Sequence, residues 1–207
     1  MSARPRSPWV AFSAVAVGTL MGTVDTSIVN VALPTMRTEL GTTIGGIEWV
    51  VTAYLLTVSA ALLAAGRLGD LAGHRRIFVS GLVLFTLGSA MCGFAPGLRS
   101  LVAARMLQAL GASAMTAIGP AVVTAVFPPE RRGRALGAIT TVVAVGLTAG
   151  PPLGGFLVQH LSWRWIFWVN LPVGLAGAAW AARAVPETAG ARGAELDRAG
   201  SLLLAGC

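Results

Sequence analysis

Charge is scarce in this sequence. Only 11% of its 207 residues are Asp, Glu, Lys or Arg, lysine is missing altogether, and the acids number eight. A soluble domain carries about a quarter charged residues, so an ordinary water-soluble fold is excluded at the outset. Histidine and cysteine are sparse too, with two of each. Cys92 lies inside a long apolar run and Cys207 is the last residue, which leaves no disulfide framework and no metal-ligand spacing. His74 and His160 fall on opposite sides of the membrane in the topology below, and no two carboxylates share a plausible site. An enzyme is therefore not expected, and nothing calls for a cofactor.

What the chain has instead is apolar length. Hydrophobic residues make up 55% of it and the mean hydropathy is +0.76. Six runs, at about residues 10–34, 49–66, 77–98, 101–127, 135–159 and 165–182, can each cross a hydrocarbon core of about 30 Å at about 1.5 Å per residue. Residues 1–8 form a short N-terminal segment, 9–186 the six-span domain and 187–199 a polar linker. Residues 200–207 open a further apolar run too short to span, as the start of a seventh helix would. The first run follows Arg4 and Arg6 in the manner of a signal peptide, but its length and the five runs after it predict a retained helix. Glycine, 26 residues in all, is concentrated in the runs, where small side chains let membrane helices approach closely.

The 15 basic residues, all arginine, follow topology. With the N-terminus placed in the cytoplasm, Arg4, Arg6, Arg67, Arg75, Arg76, Arg131, Arg132, Arg134, Arg183, Arg192 and Arg198 lie inside, and Arg37, Arg99 and Arg164 outside. Positive charge collects on the cytoplasmic side of membrane proteins, so this asymmetry sets the orientation and removes nucleic acid as a partner.

Two charges remain within the runs. A charge at the bilayer centre costs several kcal/mol, so it persists where it faces protein or a water-filled path. Asp25 stands about 16 residues into the first run, roughly 24 Å along its axis, and Arg105 about five residues into the fourth, roughly 8 Å from the opposite end. The two therefore lie at similar depth and are expected to share one cavity, where the guanidinium biases protonation of the carboxylate. A static ion pair is the plainer alternative. Spacings of four and five place Met21, Asp25 and Asn30 near one face, which with Gln108 is expected to line a substrate cavity.

The connection between the second and third runs reads Gly66-Arg-Leu-Gly-Asp70-Leu-Ala-Gly73-His-Arg75-Arg76. Glycines permit a tight turn there, and a carboxylate can cap a helix or bind arginine. The stretch resembles the signature loop of the major facilitator superfamily, Gly-x-Leu-x-Asp-Arg-x-Gly-Arg-Arg/Lys. It matches at Gly66, Leu68, Asp70, Gly73, Arg75 and Arg76, while Leu71 stands where the family has arginine. Arg105-x-x-Gln108-x-x-Gly111 resembles the fourth-helix motif linked to proton transfer, with Ala109 in place of a glycine. Gly146, Gly150, Pro151, Gly154 and Gly155 match every defined position of the fifth-helix antiporter motif, Gly-x-x-x-Gly-Pro-x-x-Gly-Gly. Residues 25–34, 129–135 and 163–172 resemble the fourteen-helix drug/proton antiporters of the EmrB/QacA type. For the Trp163–Trp168 cluster, the preference of tryptophan for the membrane interface is a simpler partial account.

The resemblance implies an all-α membrane fold: the N-terminal six-helix half of a major facilitator transporter, two inverted three-helix repeats. It implies export of a hydrophobic, cationic or amphiphilic drug-like compound against protons. It also implies a cytoplasmic gate in which Asp70 meets an arginine of the fourth-to-fifth connection, such as Arg131 or Arg134, and fifth-helix glycines that work against a C-terminal half. The six-span unit alone is then expected not to transport. Alternatives are a metabolite facilitator or symporter of the same superfamily, and a non-transporting remnant or regulatory membrane protein.

Overall fold

Helix ends in this chain are set by a few identifiable residues. Pro8 and Pro129 each start a helix at a position where the missing N–H has no intrahelical partner to lose. Thr43 caps another, its hydroxyl accepting from the Gly46 N–H at 3.1 Å. The computed structural model describes residues 7–187. Within them lie α1 (Pro8–Glu39), α2 (Ile44–Ala72), α3 (His74–Phe94), α4 (Leu98–Val126), α5 (Pro129–His160), α6 (Trp165–Trp168) and α7 (Asn170–Ala184), with no strand among the described residues. The single turn α6 and the longer α7 together form the sixth span, Trp165–Ala184, so six helices are long and apolar enough to cross a membrane.

The packing repeats with an offset of three spans. α1 lies along α5 as α4 lies along α2, and α3 is wedged between α4 and α7. That recurrence is the mark of two three-helix units related by a pseudo-two-fold axis. Two apolar clusters fill the interior. One is built on Phe78, Leu82, Phe85 and Met115, the other on Ile28, Met36, Leu101 and Phe167.

The helices run beyond the expected apolar spans, and this changes two assignments. Gly66, Arg67 and Asp70, expected in a loop, belong to the last turns of α2, and the α2–α3 junction is one residue, Gly73, at φ +96°. Arg131 and Arg134, likewise expected in a connection, stand exposed in the first turns of α5. The reason is that a helix need not end where lipid ends, since its solvated turns keep their backbone hydrogen bonds. Gly73 has a left-handed φ that a Cβ resists. Gly73→Ala should therefore cost about 1–3 kcal/mol, read as a lower midpoint for unfolding in detergent.

Trp163 has a partner within the bundle. The side chain is fully buried within the protein, with its indole N–H donating at 2.8 Å to Oε2 of Glu39, the last residue of α1, so a packing and hydrogen-bonding role stands beside any preference for the interface. The expected linker and seventh-helix start fall, from residue 188 onward, outside the described residues.

Candidate functional site

Asp25 and Arg105, 80 positions apart in sequence, meet inside the bundle. Arg105 Nη1 donates to Asp25 Oδ2 at 2.6 Å, and the two are 0% and 1% exposed. They occupy packed interior rather than the open cavity expected. Gln108, one turn along α4, donates Nε2 to Asp25 Oδ1 at 2.8 Å and accepts from Arg105 Nη1 at 2.7 Å. Arg105 Nε donates to the Val50 carbonyl of α2 at 3.3 Å.

Asn170, the first residue of α7, supplies a third donor to the carboxylate at 2.8 Å and also donates to Ser89 Oγ at 3.0 Å. Ser89 in turn donates to the Phe167 carbonyl at 2.9 Å. Cys92 Sγ lies 3.7 Å from Gln108 Oε1, and the ring of Tyr54 is centred 3.9 Å from Arg105 Cζ. Helices from both three-helix units thus converge on one carboxylate. Three N–H donors and no competing acceptor form the set that suits an ionised acid.

Asn170, Ser89 and Tyr54 were not picked out from the sequence as site residues. The available signals were modest: Asn170 interrupts an apolar run, and Tyr54 is the one tyrosine in the chain.

A cavity of about 280 Å³ opens beside this network, lined among others by Thr19, Thr23, Thr26, Tyr54, Met115 and Thr116. The residues expected to line a cavity lie elsewhere. Met21 is buried in the apolar core, and Gln108 is enclosed in the network just described. Asn30 is exposed and donates to the Thr26 carbonyl of its own helix at 3.1 Å. At about 100° per residue, five positions place Asn30 roughly 140° around α1 from Asp25, so the common face fails.

At the end of the bundle where α1 begins, Asp70 Oδ1 pairs with His74 Nε2 at 3.5 Å, rather than with Arg131 or Arg134. Arg75 and Arg76 both pair with Glu187, just past α7. Arg132, beside the expected gate pair, donates Nε to the Phe127 carbonyl at 3.2 Å.

The fifth-helix motif is also placed differently from expectation. Gly146, Gly150 and Gly154 seat α5 against Thr23, Ser27 and Ile28 of α1 within the same bundle, and Ser27 Oγ donates to the Leu147 carbonyl at 3.2 Å. Gly155 has open space beside it, and Pro151 is exposed. Glycines four apart form a flat stripe, but that spacing does not say which helix will lie on it.

Comparisons with known proteins agree on the family. The sequence profile of the Major Facilitator Superfamily matches residues 15–205. Riboflavin transporter RibZ of Clostridioides difficile is 35% identical over 98% of this chain and 44% of its own length. A Serratia proteamaculans protein named MdtD, a multidrug resistance designation, is 44% identical over 79% of this chain and 34% of its own length. The chain thus spans less than half the length of these curated relatives. Among solved structures, the proton:xylose symporter XylE superposes with a TM-score of 0.75 at 14% identity, over 87% of this chain and 45% of that one. Six membrane-length helices in this arrangement, with a profile match over most of the sequence, make this a multi-pass membrane protein that belongs to the Major Facilitator Superfamily of transporters.

Proposed function

We propose that this six-span unit is the proton-handling half of an exporter that exchanges drug-like hydrophobic or cationic compounds for protons across the cytoplasmic membrane. The observation that carries the reading is the buried carboxylate of Asp25, held by Arg105, Gln108 and Asn170. An ionised carboxylate only accepts hydrogen bonds, whereas a protonated one carries an O–H that needs an acceptor. Proton uptake therefore sets a new donor among three side chains that all donate to this carboxyl and disfavours their present arrangement. Those partners come from α4 and α7. A proton on α1 therefore changes which packing of three spans is favoured, and a ligand that favours one of two packings shifts the population between them.

The cavity supplies the cargo side. Its polar groups are hydroxyls, and those of Thr23 and Thr26 donate to carbonyls of their own helix at 2.9 Å each. Their lone pairs are left to accept from a cargo donor. α2 and α5, the least buried spans, offer the face for a second six-helix unit that completes the cavity. The arginine-rich end, with Arg67, Arg75, Arg76, Arg131, Arg132, Arg134 and Arg183, is assigned to the cytoplasm with the N-terminus. Names carried by relatives support the cargo class, through the multidrug designation of MdtD.

The test is proton-driven ethidium transport in everted vesicles containing the complete protein. Asp25→Asn is expected to lower it at least about tenfold, the order by which losing an essential acid–base group slows a reaction, with the amount of inserted protein unchanged. Retention of proton-driven transport in that variant would remove Asp25 from the coupling. A second reading, a metabolite carrier, is favoured by the riboflavin transporter relative that matches nearly the whole chain. Riboflavin moving down an imposed proton gradient, with ethidium unmoved, would select it.

A further inference from the structure

We infer that Tyr54 is the gate between the central cavity and the buried acid, the side chain that decides whether water and protons in the cavity reach Asp25. The inference deepens the proton-coupled reading above and rests on it. Asp25 and Arg105 have essentially no exposed surface, so nothing in the cavity touches either directly. Tyr54 belongs to both places. It lines the cavity on one side, and on the other its ring lies 3.9 Å from the centre of the Arg105 guanidinium.

Elsewhere the pair is closed by packed, buried groups. Gln108 and Cys92 close it on the α3–α4 side, and Asn170 with Ser89 on the α7 side. The Val50 carbonyl covers Arg105 Nε, and the Phe167 ring stands 5.8 Å from its Cζ. Towards the cavity the cover is one aromatic ring. The second cavity residue close to the pair is Thr26, the chain neighbour of Asp25, whose hydroxyl is bonded back to Gly22 O.

A guanidinium stacked on an aromatic face holds that ring by cation–π attraction, which strengthens as water is excluded. Turning the ring away replaces an apolar cover by water and opens a path to the carboxylate. Cargo resting on Tyr54 from the cavity side opposes that turn. The ring is thus the contact through which an occupied cavity holds the acid closed.

Cys92 provides a built-in reporter, because it is fully buried and adjoins the far side of the same network. The second thiol in the sequence is Cys207, so Cys207→Ser leaves one. The probe is 2-(trimethylammonium)ethyl methanethiosulfonate, a small hydrophilic reagent that modifies a thiol only where water reaches it. It would be applied to the purified full chain in detergent. Tyr54→Leu is expected to raise the rate of Cys92 labelling at least about tenfold, while Tyr54→Phe, which keeps the ring, stays within about twofold of the parent. Adding Thr116→Trp, which fills the cavity at an exposed lining position, should bring the Tyr54→Leu rate down at least about fivefold, as a route through the cavity requires.

Equal rates in Tyr54→Leu and the parent would overturn the inference. So would fast labelling that Thr116→Trp leaves unchanged, since that would report general loosening. If Tyr54→Leu does not yield a monodisperse protein, Thr116→Trp alone decides: residual Cys92 labelling slowed at least about threefold supports the route, and an unchanged rate overturns it. These arms involve no proton movement, so they can fail while Asp25→Asn still abolishes proton-driven transport. The gating pattern together with full transport in Asp25→Asn would instead sink the coupling role of the acid.

Discussion

Arg105→Met should cost about 3–5 kcal/mol, the penalty for leaving one member of a buried ion pair without its partner. Methionine fills most of the space but offers nothing to Asp25 Oδ2, to the Val50 carbonyl or to Gln108 Oε1, all of which Arg105 now satisfies. Gln108 and Asn170 still reach the carboxylate, yet neither carries a positive charge. Adding Asp25→Asn should restore much of the loss, because the unpaired charge is then gone and an apolar or amide replacement of a buried pair is often tolerated. Equilibrium unfolding of the purified variants in mixed detergent measures both steps. If the single variant is as stable as the double, the pair contributes no such constraint, and the network is held by its amides alone.

Gly111→Ala is the second large effect expected. An added Cβ would stand 2.3 Å from the Phe85 backbone nitrogen and 2.6 Å from the Gly81 carbonyl oxygen, so α3 itself has to move. Overpacking commonly costs about 1–3 kcal/mol when side chains can adjust. Here the obstacle is backbone, and the upper part of that range is expected. Gly155→Ala is the matched control: no atom lies within 4 Å of its added Cβ, and alanine is favoured over glycine in a helix by up to about 1 kcal/mol. The same unfolding measurement should show the first variant weakened and the second unchanged or slightly strengthened. Equal behaviour of the two would contradict the close α3–α4 crossing.

Much of the fold was readable from the sequence, because bilayer-length apolar runs are a strong signal and lipid permits few solutions. The helix ends were not readable. Runs stop at the first arginine, as at Arg67, while the helix continues to Ala72. Asp25 and Arg105 stood out because a charge within lipid is costly enough to need a reason. Asn170 and Ser89 carry smaller penalties and gave no comparable signal, although Asn170 holds the same carboxylate oxygen as Gln108. The misplacement of Asn30 came from treating a five-residue step as one face. The partner of Gly146 and Gly150 was missed for another reason, since a stripe of small residues specifies closeness and not identity.

Arg75 and Arg76 both fasten to Glu187, so the polypeptide leaves the sixth span clipped to the corner where α2 turns into α3. Each member of that clip is partly exposed, and such surface pairs contribute only about 0–1 kcal/mol and weaken with salt. It therefore works as a quick-release fastening. A pull on the chain beyond Glu187 would be felt first at the Gly73 elbow, and added salt would loosen the hold.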